Sequence, residues 1–180
     1  MKVAITSSSS DNINNIYKEE SKKVISFLAS EKLDLVWGCG SNGIMGICYE
    51  EFKNANLNIY GYTTPKYADM LEELNYAQNM ICEDTFVLKK RMFDDSDLIV
   101  CLPGGLGTIS EFFSYLEEIR SNNPNKLLIL YNLNGEYNYI LELINNIIKE
   151  NFIGSEVNNY FKVVNNYAEF VDVYNNWRNK

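Results

Sequence analysis

The segment Leu98-Ile99-Val100-Cys101-Leu102 is apolar at every position and runs straight into Pro103-Gly104-Gly105-Leu106-Gly107-Thr108. A strand with one wet face alternates polar and apolar residues, whereas an unbroken apolar run has both faces covered, as in the parallel sheets of α/β proteins. The rest of the chain repeats the theme of strand, small polar turn and helix. Lys2 to Thr6 is a β-branched run ending in Ser7-Ser8-Ser9-Ser10-Asp11, and about Asn15 to Glu31 carries Tyr17, Val24, Ile25, Phe27 and Leu28 at helical spacing. Leu33 to Trp37 predicts a second strand, followed by Gly38-Cys39-Gly40-Ser41-Asn42-Gly43 and a helix from about Ile44 to Asn54. Leu57 to Tyr62 predicts a third strand, Thr63 to Asn75 a polar loop with partial helical character, and Met80 to Cys82 a short edge strand. Thr85 to Asp95, Thr108 to Arg120, Tyr137 to Glu150 and Tyr167 to Trp177 predict helices, with strands at Lys126 to Tyr131 and Tyr160 to Val164. The connection Ser121 to Asn125 is too short for a linker, so the 180 residues predict one α/β domain with a Rossmann-like, doubly wound, mostly parallel sheet.

The chemistry open to such a chain is narrowed by what it lacks. With no histidine, Ser-His-Asp and Cys-His nucleophile systems are excluded, and acid–base work falls to carboxylates, Lys, Tyr or water. The four cysteines, at 39, 48, 82 and 101, show no Cys-x-x-Cys pair, so zinc is not expected and buried thiols in a reducing compartment are. A net charge of -8 argues against binding to a nucleic-acid backbone, which needs clustered cations. The apolar runs are strand-sized, short of the roughly 20 residues that span a bilayer, and Lys2-Val3-Ala4-Ile5 lacks the succession of a signal peptide. No membrane association and a cytoplasmic location are the expectations.

Ligands of an open parallel sheet bind beyond the carboxyl ends of its strands. Three small-residue loops fall at such ends, Ser7 to Ser10, Gly38 to Gly43 and Gly104 to Thr108, each ahead of a helix whose first N–H groups and dipole favour an anion. Three glycines in the last loop permit positive φ and close approach of backbone to ligand. Phosphate contacts are expected at Gly104, Gly105, Gly107 and Thr108, with Ser8, Ser9, Gly40 and Ser41 in the neighbouring loops, although serines there also cap helices. Gly38 to Gly43 has the form Gly-x-Gly-x-x-Gly, but no acidic residue ends the next strand to hold a ribose, so NAD is not assigned. Glu111 has two readings. Thr108-Ile109-Ser110-Glu111 is a capping-box pattern; equally, a carboxylate one turn beyond a phosphate loop can stabilise an oxocarbenium-like ribosyl centre or orient a water. Lys89-Lys90-Arg91 is either a solvated basic face or a counter-charge for phosphate or leaving base.

The run Pro103-Gly104-Gly105-Leu106-Gly107-Thr108-Ile109-Ser110-Glu111 resembles the Pro-Gly-Gly-x-Gly-Thr-x-x-Glu signature of the Lonely Guy family, the cytokinin nucleoside 5′-monophosphate phosphoribohydrolases. The resemblance extends over about Val3 to Ile153, through Ser7 to Ser9, Trp37 to Gly46, Ser96-Asp97, Gly135 to Asn138 and Asn151 to Ile153. It implies a Rossmann-like homodimer or higher homo-oligomer that splits a nucleoside 5′-monophosphate into base and ribose 5-phosphate without metal or organic cofactor. Gly104, Gly105, Gly107 and Thr108 would hold the phosphate and Glu111 would be the catalytic carboxylate. The family has an Arg-Lys pair on the helix before the glycine strand; here Leu88 stands at the arginine position and Lys89 at the lysine position, with Arg91 three residues on as a substitute cation. Gly61-Tyr62-Thr63-Thr64-Pro65 and the stretch on to Asn75 also depart from the family, leaving the base open. Two alternatives stand beside the hydrolase of AMP or a cytokinin nucleotide: a non-catalytic nucleotide-binding or carrier protein on the same scaffold, and a hydrolase of a different nucleotide.

Overall fold

A computed structural model of the chain describes residues 1–122 and 124–179. Seven strands form one parallel sheet: β1 (Lys2–Thr6), β2 (Asp34–Trp37), β3 (Ile59–Thr63), β4 (Gln78–Ile81), β5 (Leu98–Cys101), β6 (Leu127–Tyr131) and β7 (Lys162–Val164). Their order across the sheet is β4-β3-β2-β1-β5-β6-β7. The chain winds outward from β1 to β4, crosses back to lay β5 along the other side of β1, and winds outward again. The switch point is therefore the β1/β5 seam, where Thr6 is paired with Cys101.

Six α-helices cover the two faces: α1 (Asn15–Ser30), α2 (Gly43–Asn54), α3 (Thr85–Asp94), α4 (Leu106–Asn122), α5 (Asn138–Lys149) and α6 (Tyr167–Arg178). Successive strand residues point to opposite faces, and the core divides accordingly. Val3, Ile5, Leu35, Trp37, Leu98, Val100, Ile129 and Tyr131 join residues of α1, α2 and α6 on one side. Ala4, Val36, Ile99, Cys101, Leu128 and Leu130 join residues of α3, α4 and α5 on the other. By the same parity Thr6 belongs to the side of α3 and α4.

Some of the asparagines and aspartates have a local purpose. Asn14, Asp84 and Asn166 cap α1, α3 and α6, their side chains accepting from the amides of Ile16, of Phe86 and Val87, and of Glu169. Such a cap contributes about 1 kcal/mol each.

The structure moves several predicted boundaries. Residues Pro65–Glu72 form 3₁₀ turns, which is the partial helical character expected of the polar stretch Thr63 to Asn75, and the edge strand is Gln78–Ile81 in place of Met80 to Cys82. The last strand is shorter than expected, at Lys162–Val164. Within the connection Ser121 to Asn125, Asn123 lies outside the described residues. The shift with chemical consequence is in α4, which begins at Leu106, two residues ahead of the expected start. Gly105 already supplies the carbonyl that accepts from Ile109 N–H at 3.0 Å. Thr108 is thus inside the helix, and the capping-box reading of Thr108 and Glu111 does not hold.

Gly46 shows how tightly α2 is seated. A Cβ there would overlap the Ser41 carbonyl oxygen, which belongs to the loop that α2 leaves. Gly46→Ala is expected to lower stability by about 1–3 kcal/mol through overpacking, read as a lower urea midpoint at unchanged m-value.

Candidate active site at the strand switch point

Two backbone bonds join the loops that leave the seam: Leu102 N–H donates to the Thr6 carbonyl at 2.9 Å and Ser8 N–H to the Pro103 carbonyl at 3.0 Å. The serine loop is in turn held from its other side. The Ser8 carbonyl accepts from the amides of Ile44 and Met45 at 2.9 and 3.1 Å, and Asp11 Oδ1 accepts from Gly43 N–H at 2.9 Å. The amides at the N-terminus of α2 are thereby spent on the protein itself. Gly43, at φ +59°, is the glycine this turn requires, since a Cβ would stand 2.7 Å from the Ser8 carbonyl oxygen.

A cavity of about 650 Å³ opens above the seam, of a size to take a nucleotide. Its lining includes Thr6, Ser7, Ser8, Ser9 and Ser10 from the first loop, Gly105, Leu106, Gly107 and Thr108 from the start of α4, and Lys89 and Glu111. Ile5, Met45, Leu88 and Met92 form an apolar wall.

The residues of the glycine loop divide by task. None of its glycines has positive φ, so conformational freedom is not what selects them. Gly104 is required by packing, because a Cβ would overlap Thr108 Oγ1 and approach the Ser7 carbonyl carbon at 3.1 Å. Gly104 itself does not line the cavity. A Cβ at Gly105 or Gly107 would meet nothing within 4 Å. Leu106, Gly107 and Thr108 precede the hydrogen-bonded ladder of α4, so their amides are those a helix leaves for an anion. The two bare glycines therefore answer to something other than the folded chain, and backbone laid open to a ligand is the physical reason available.

Gly40 and Ser41, expected beside the phosphate, are not in the cavity lining. A Cβ at Gly40 would stand 2.8 Å from Met45 Sδ, and Ser41 packs its carbonyl against Gly46. Their loop buttresses α2 and seats Met45, and only Gly38 of its glycines reaches the cavity. Ser8 and Ser9 do line it. Arg91 does not: on α3 the residues facing the cavity are Thr85, Leu88, Lys89 and Met92, while Arg91 is exposed and acts on the titration of Tyr62 and Cys82. The guanidinium absent at position 88 is not replaced from position 91, and Lys89 and Glu111 are the charged residues of the lining.

Lys89 Nζ donates to Ser110 Oγ at 2.6 Å, tying the ammonium to α4 next to Glu111. Glu111 is partly accessible, through the cavity. Desolvation by its surroundings pushes its carboxyl up from 4.5 to about 7, against the opposing pull of Lys89 and of the Thr6 hydroxyl. A carboxylate poised near neutrality in a cleft is suited to proton transfer. Sequence reasoning passed over Thr6 and Ser110, and placed Ser7 in the serine loop without assigning it a contact. Thr6 and Ser7 are buried, and both hydroxyls are without a hydrogen-bond partner among the described residues. The parity of β1 was the signal available for Thr6.

Two expectations separate ligand-facing from structural residues. Gly105→Ala and Gly107→Ala should leave stability within about 1 kcal/mol yet weaken binding of a phosphate ester at least about tenfold, whereas Gly104→Ala should lower stability itself; calorimetric titration and urea unfolding measure the two effects. For Glu111, the folded value lies above the unfolded one, so the folded protein holds an extra proton between about pH 4.5 and 7 and this contribution to stability is lost as pH rises through that window. Glu111→Gln cannot ionise and should exceed the parent in stability at pH 8 by up to about 3 kcal/mol, with the gap closing below about pH 4. An equal gap at both pH values would contradict the assignment.

Residues 45–173 match the family model described as possible lysine decarboxylase. A probable cytokinin riboside 5′-monophosphate phosphoribohydrolase of rice, Oryza sativa subsp. japonica, is 29% identical over 80% of this chain and 63% of its own length. A cytokinin riboside 5′-monophosphate phosphoribohydrolase of Arabidopsis thaliana is 30% identical over 76% of this chain and 65% of its own. The chain thus spans somewhat under two thirds of these relatives. Among solved structures, the molybdenum cofactor carrier protein of Chlamydomonas reinhardtii superposes with a TM-score of 0.67 over 100% of both chains at 14% identity, a likeness of fold. With the family model covering most of the chain and relatives of this kind aligned across the glycine loop and its helix, the chain belongs to the Lonely Guy family.

Proposed function

We propose that the chain hydrolyses the N-glycosidic bond of a nucleoside 5′-monophosphate, of AMP or cytokinin-nucleotide type, to free base and ribose 5-phosphate. One observation carries the reading: the open N-terminus of α4 and a carboxyl titrating near 7 face the same nucleotide-sized cavity. The amides of Leu106, Gly107 and Thr108 and the hydroxyls of Ser8 and Ser9 would anchor the phosphate. Binding energy from that remote group would then hold the ribose against Glu111. Water adds to the anomeric carbon as the bond to the base nitrogen breaks, with the positive charge at that carbon stabilised by the Glu111 carboxylate. The base would lie along Met45, Leu88 and Met92. Lys89 stands where it offsets phosphate charge or assists the departing base.

Pyridoxal phosphate chemistry, which the word decarboxylase would call for, needs a lysine for the imine and a partner for the pyridinium nitrogen. The lining holds one lysine, already bonded to Ser110 and facing the one carboxylate, so the residues do not fit that cofactor. The reading includes a homodimer or larger homo-oligomer, to which exposed apolar side chains such as Tyr139 and Phe152 are suited. It also includes a cytoplasmic location, for which four free, buried cysteines speak; no helix among the described residues is long and apolar enough to cross a membrane. Leu88 favours a second reading, a nucleotide-binding carrier, because an apolar side chain lines the cavity at the family's arginine position.

A panel of nucleoside monophosphates including AMP and isopentenyladenosine monophosphate, followed by chromatography of base and ribose 5-phosphate, decides between them. The hydrolase reading expects base release that falls about 100-fold or more in Glu111→Ala, with kcat/KM for the parent rising with pH through about 7, as the carboxylate form accumulates. Binding without release from any member of the panel would favour the carrier.

A further inference from the structure

Lys89 stands at a divide. Its side chain borders the cavity above the seam, and it also borders a groove of about 380 Å³ between α3 and α4, whose walls include Phe86, Ser114, Glu117 and Glu118. Ser110 lines the cavity and not the groove. The ammonium lies 2.6 Å from Ser110 Oγ and 5.8 Å from the centroid of the Phe86 ring, so a hydroxyl on the cavity side and an aromatic face on the groove side are both within its reach. No ion pair among the described residues includes Lys89. The groove offers this cation a charge that the hydroxyl does not. Glu117 is paired with Arg120 at 2.6 Å, but the Glu118 carboxylate accepts only from the neutral Asn122 side chain, at 2.9 Å. A lysine ammonium is a point charge on a flexible stem, so the 2.6 Å bond to Ser110 is what holds it on the cavity side.

That side is the one where an anion would sit. Ser110 follows Leu106 by four residues and Gly107 by three, which puts it on their face of α4, and Cβ atoms of a helix lean toward its N-terminus. An ammonium seated on Ser110 is therefore within about one helical turn, roughly 5 Å, of the open amides. Those amides carry partial charges, whereas a phosphate monoester brings up to two full ones, and Lys89 is the one cation of the lining. Resting on the proposed phosphate site at the start of α4, we propose that the Ser110 hydroxyl seats the Lys89 ammonium in the cavity as the counter-charge of a phosphate monoester and keeps it out of the acidic groove. Ser110 is then a positioning residue, acting on phosphate affinity through Lys89.

Ribose 5-phosphate is the probe, because it carries the phosphate and has no base to lose, so it is not consumed whether the protein is a hydrolase or a carrier. In calorimetric titration Ser110→Ala should bind it about 5- to 20-fold more weakly than the parent, while Ser110→Thr, which keeps a hydroxyl, should stay within about threefold. Lys89→Met should weaken binding by about 10- to 100-fold, and in that background Ser110→Ala should cost less than about twofold more. Glu118→Gln should recover at least about half of the loss in Ser110→Ala and change the parent by less than about twofold, since the carboxylate acts only on an ammonium that has left its seat. The urea midpoint of Ser110→Ala should equal or exceed the parent's, alanine being the better helix former. Unchanged affinity in Ser110→Ala, or an equal loss with and without the Lys89 ammonium, overturns the role of Ser110 and leaves the hydrolase reading intact. A loss that Glu118→Gln does not relieve overturns the competing seat in the groove. A parent that does not bind ribose 5-phosphate overturns the phosphate site and this role together, and one that binds it with these differences but releases base from no nucleotide overturns the hydrolase reading alone.

Discussion

The seam between β1 and β5 is where the winding of the chain reverses, and two backbone bonds across the departing loops set everything above it. Because Leu102 donates to Thr6 and Ser8 to Pro103, the serine loop and the glycine loop leave the sheet as a pair with fixed separation. Neither strand end can move without the other. The Ser8 carbonyl then takes the first amides of α2, so a helix from the opposite face of the sheet is locked to the same point. The cavity is accordingly built on loops tied to one another through main chain, which suits the proposed holding of phosphate and carboxylate in register.

The glycines around the site look alike in the sequence and answer to different forces. Gly43 satisfies a left-handed backbone, Gly104 and Gly40 make room for the side chains of Thr108 and Met45, and Gly46 for a carbonyl. Gly105 and Gly107 make room for nothing in the protein. A loop that reads as one phosphate cradle is thus part scaffold and part open cavity wall, and only close approach distances tell them apart.

Much of the fold was legible in the order of residues, because an unbroken apolar run such as Leu98 to Leu102 has one physical interpretation and the helices between strands show clear periodicity. That Gly105, Gly107, Thr108 and Glu111 line the cavity was legible for the same reason: a small-residue turn after a buried strand opens at the carboxyl edge of such a sheet. What stayed hidden depends on direction. The start of α4 at Leu106 was masked by glycines, which carry no periodicity. Arg91 is three residues from Leu88 and looked able to replace it, but its place on α3 turns it toward Tyr62 and Cys82. Gly40 and Ser41 match a nucleotide-binding pattern whose helix amides are, in this chain, already taken by Ser8. Thr6 reads as the end of a strand, and its place in the cavity lining follows from the pairing of β1 with β5, which no sequence displays.

Met45 extends this division of labour into the history of such a site. Its side chain is backed by Gly38 and Gly40 and ends at the cavity wall, on a helix whose own anchor points are backbone atoms of the serine loop. The apolar end of the cavity is therefore written in side chains, Met45 with Leu88 and Met92, while the opposite end is written largely in the main chain of the glycine loop. On the proposed reading, a change of side chain in that wall would alter which base is admitted, while the main-chain amides of Leu106, Gly107 and Thr108 would be sheltered from the same drift.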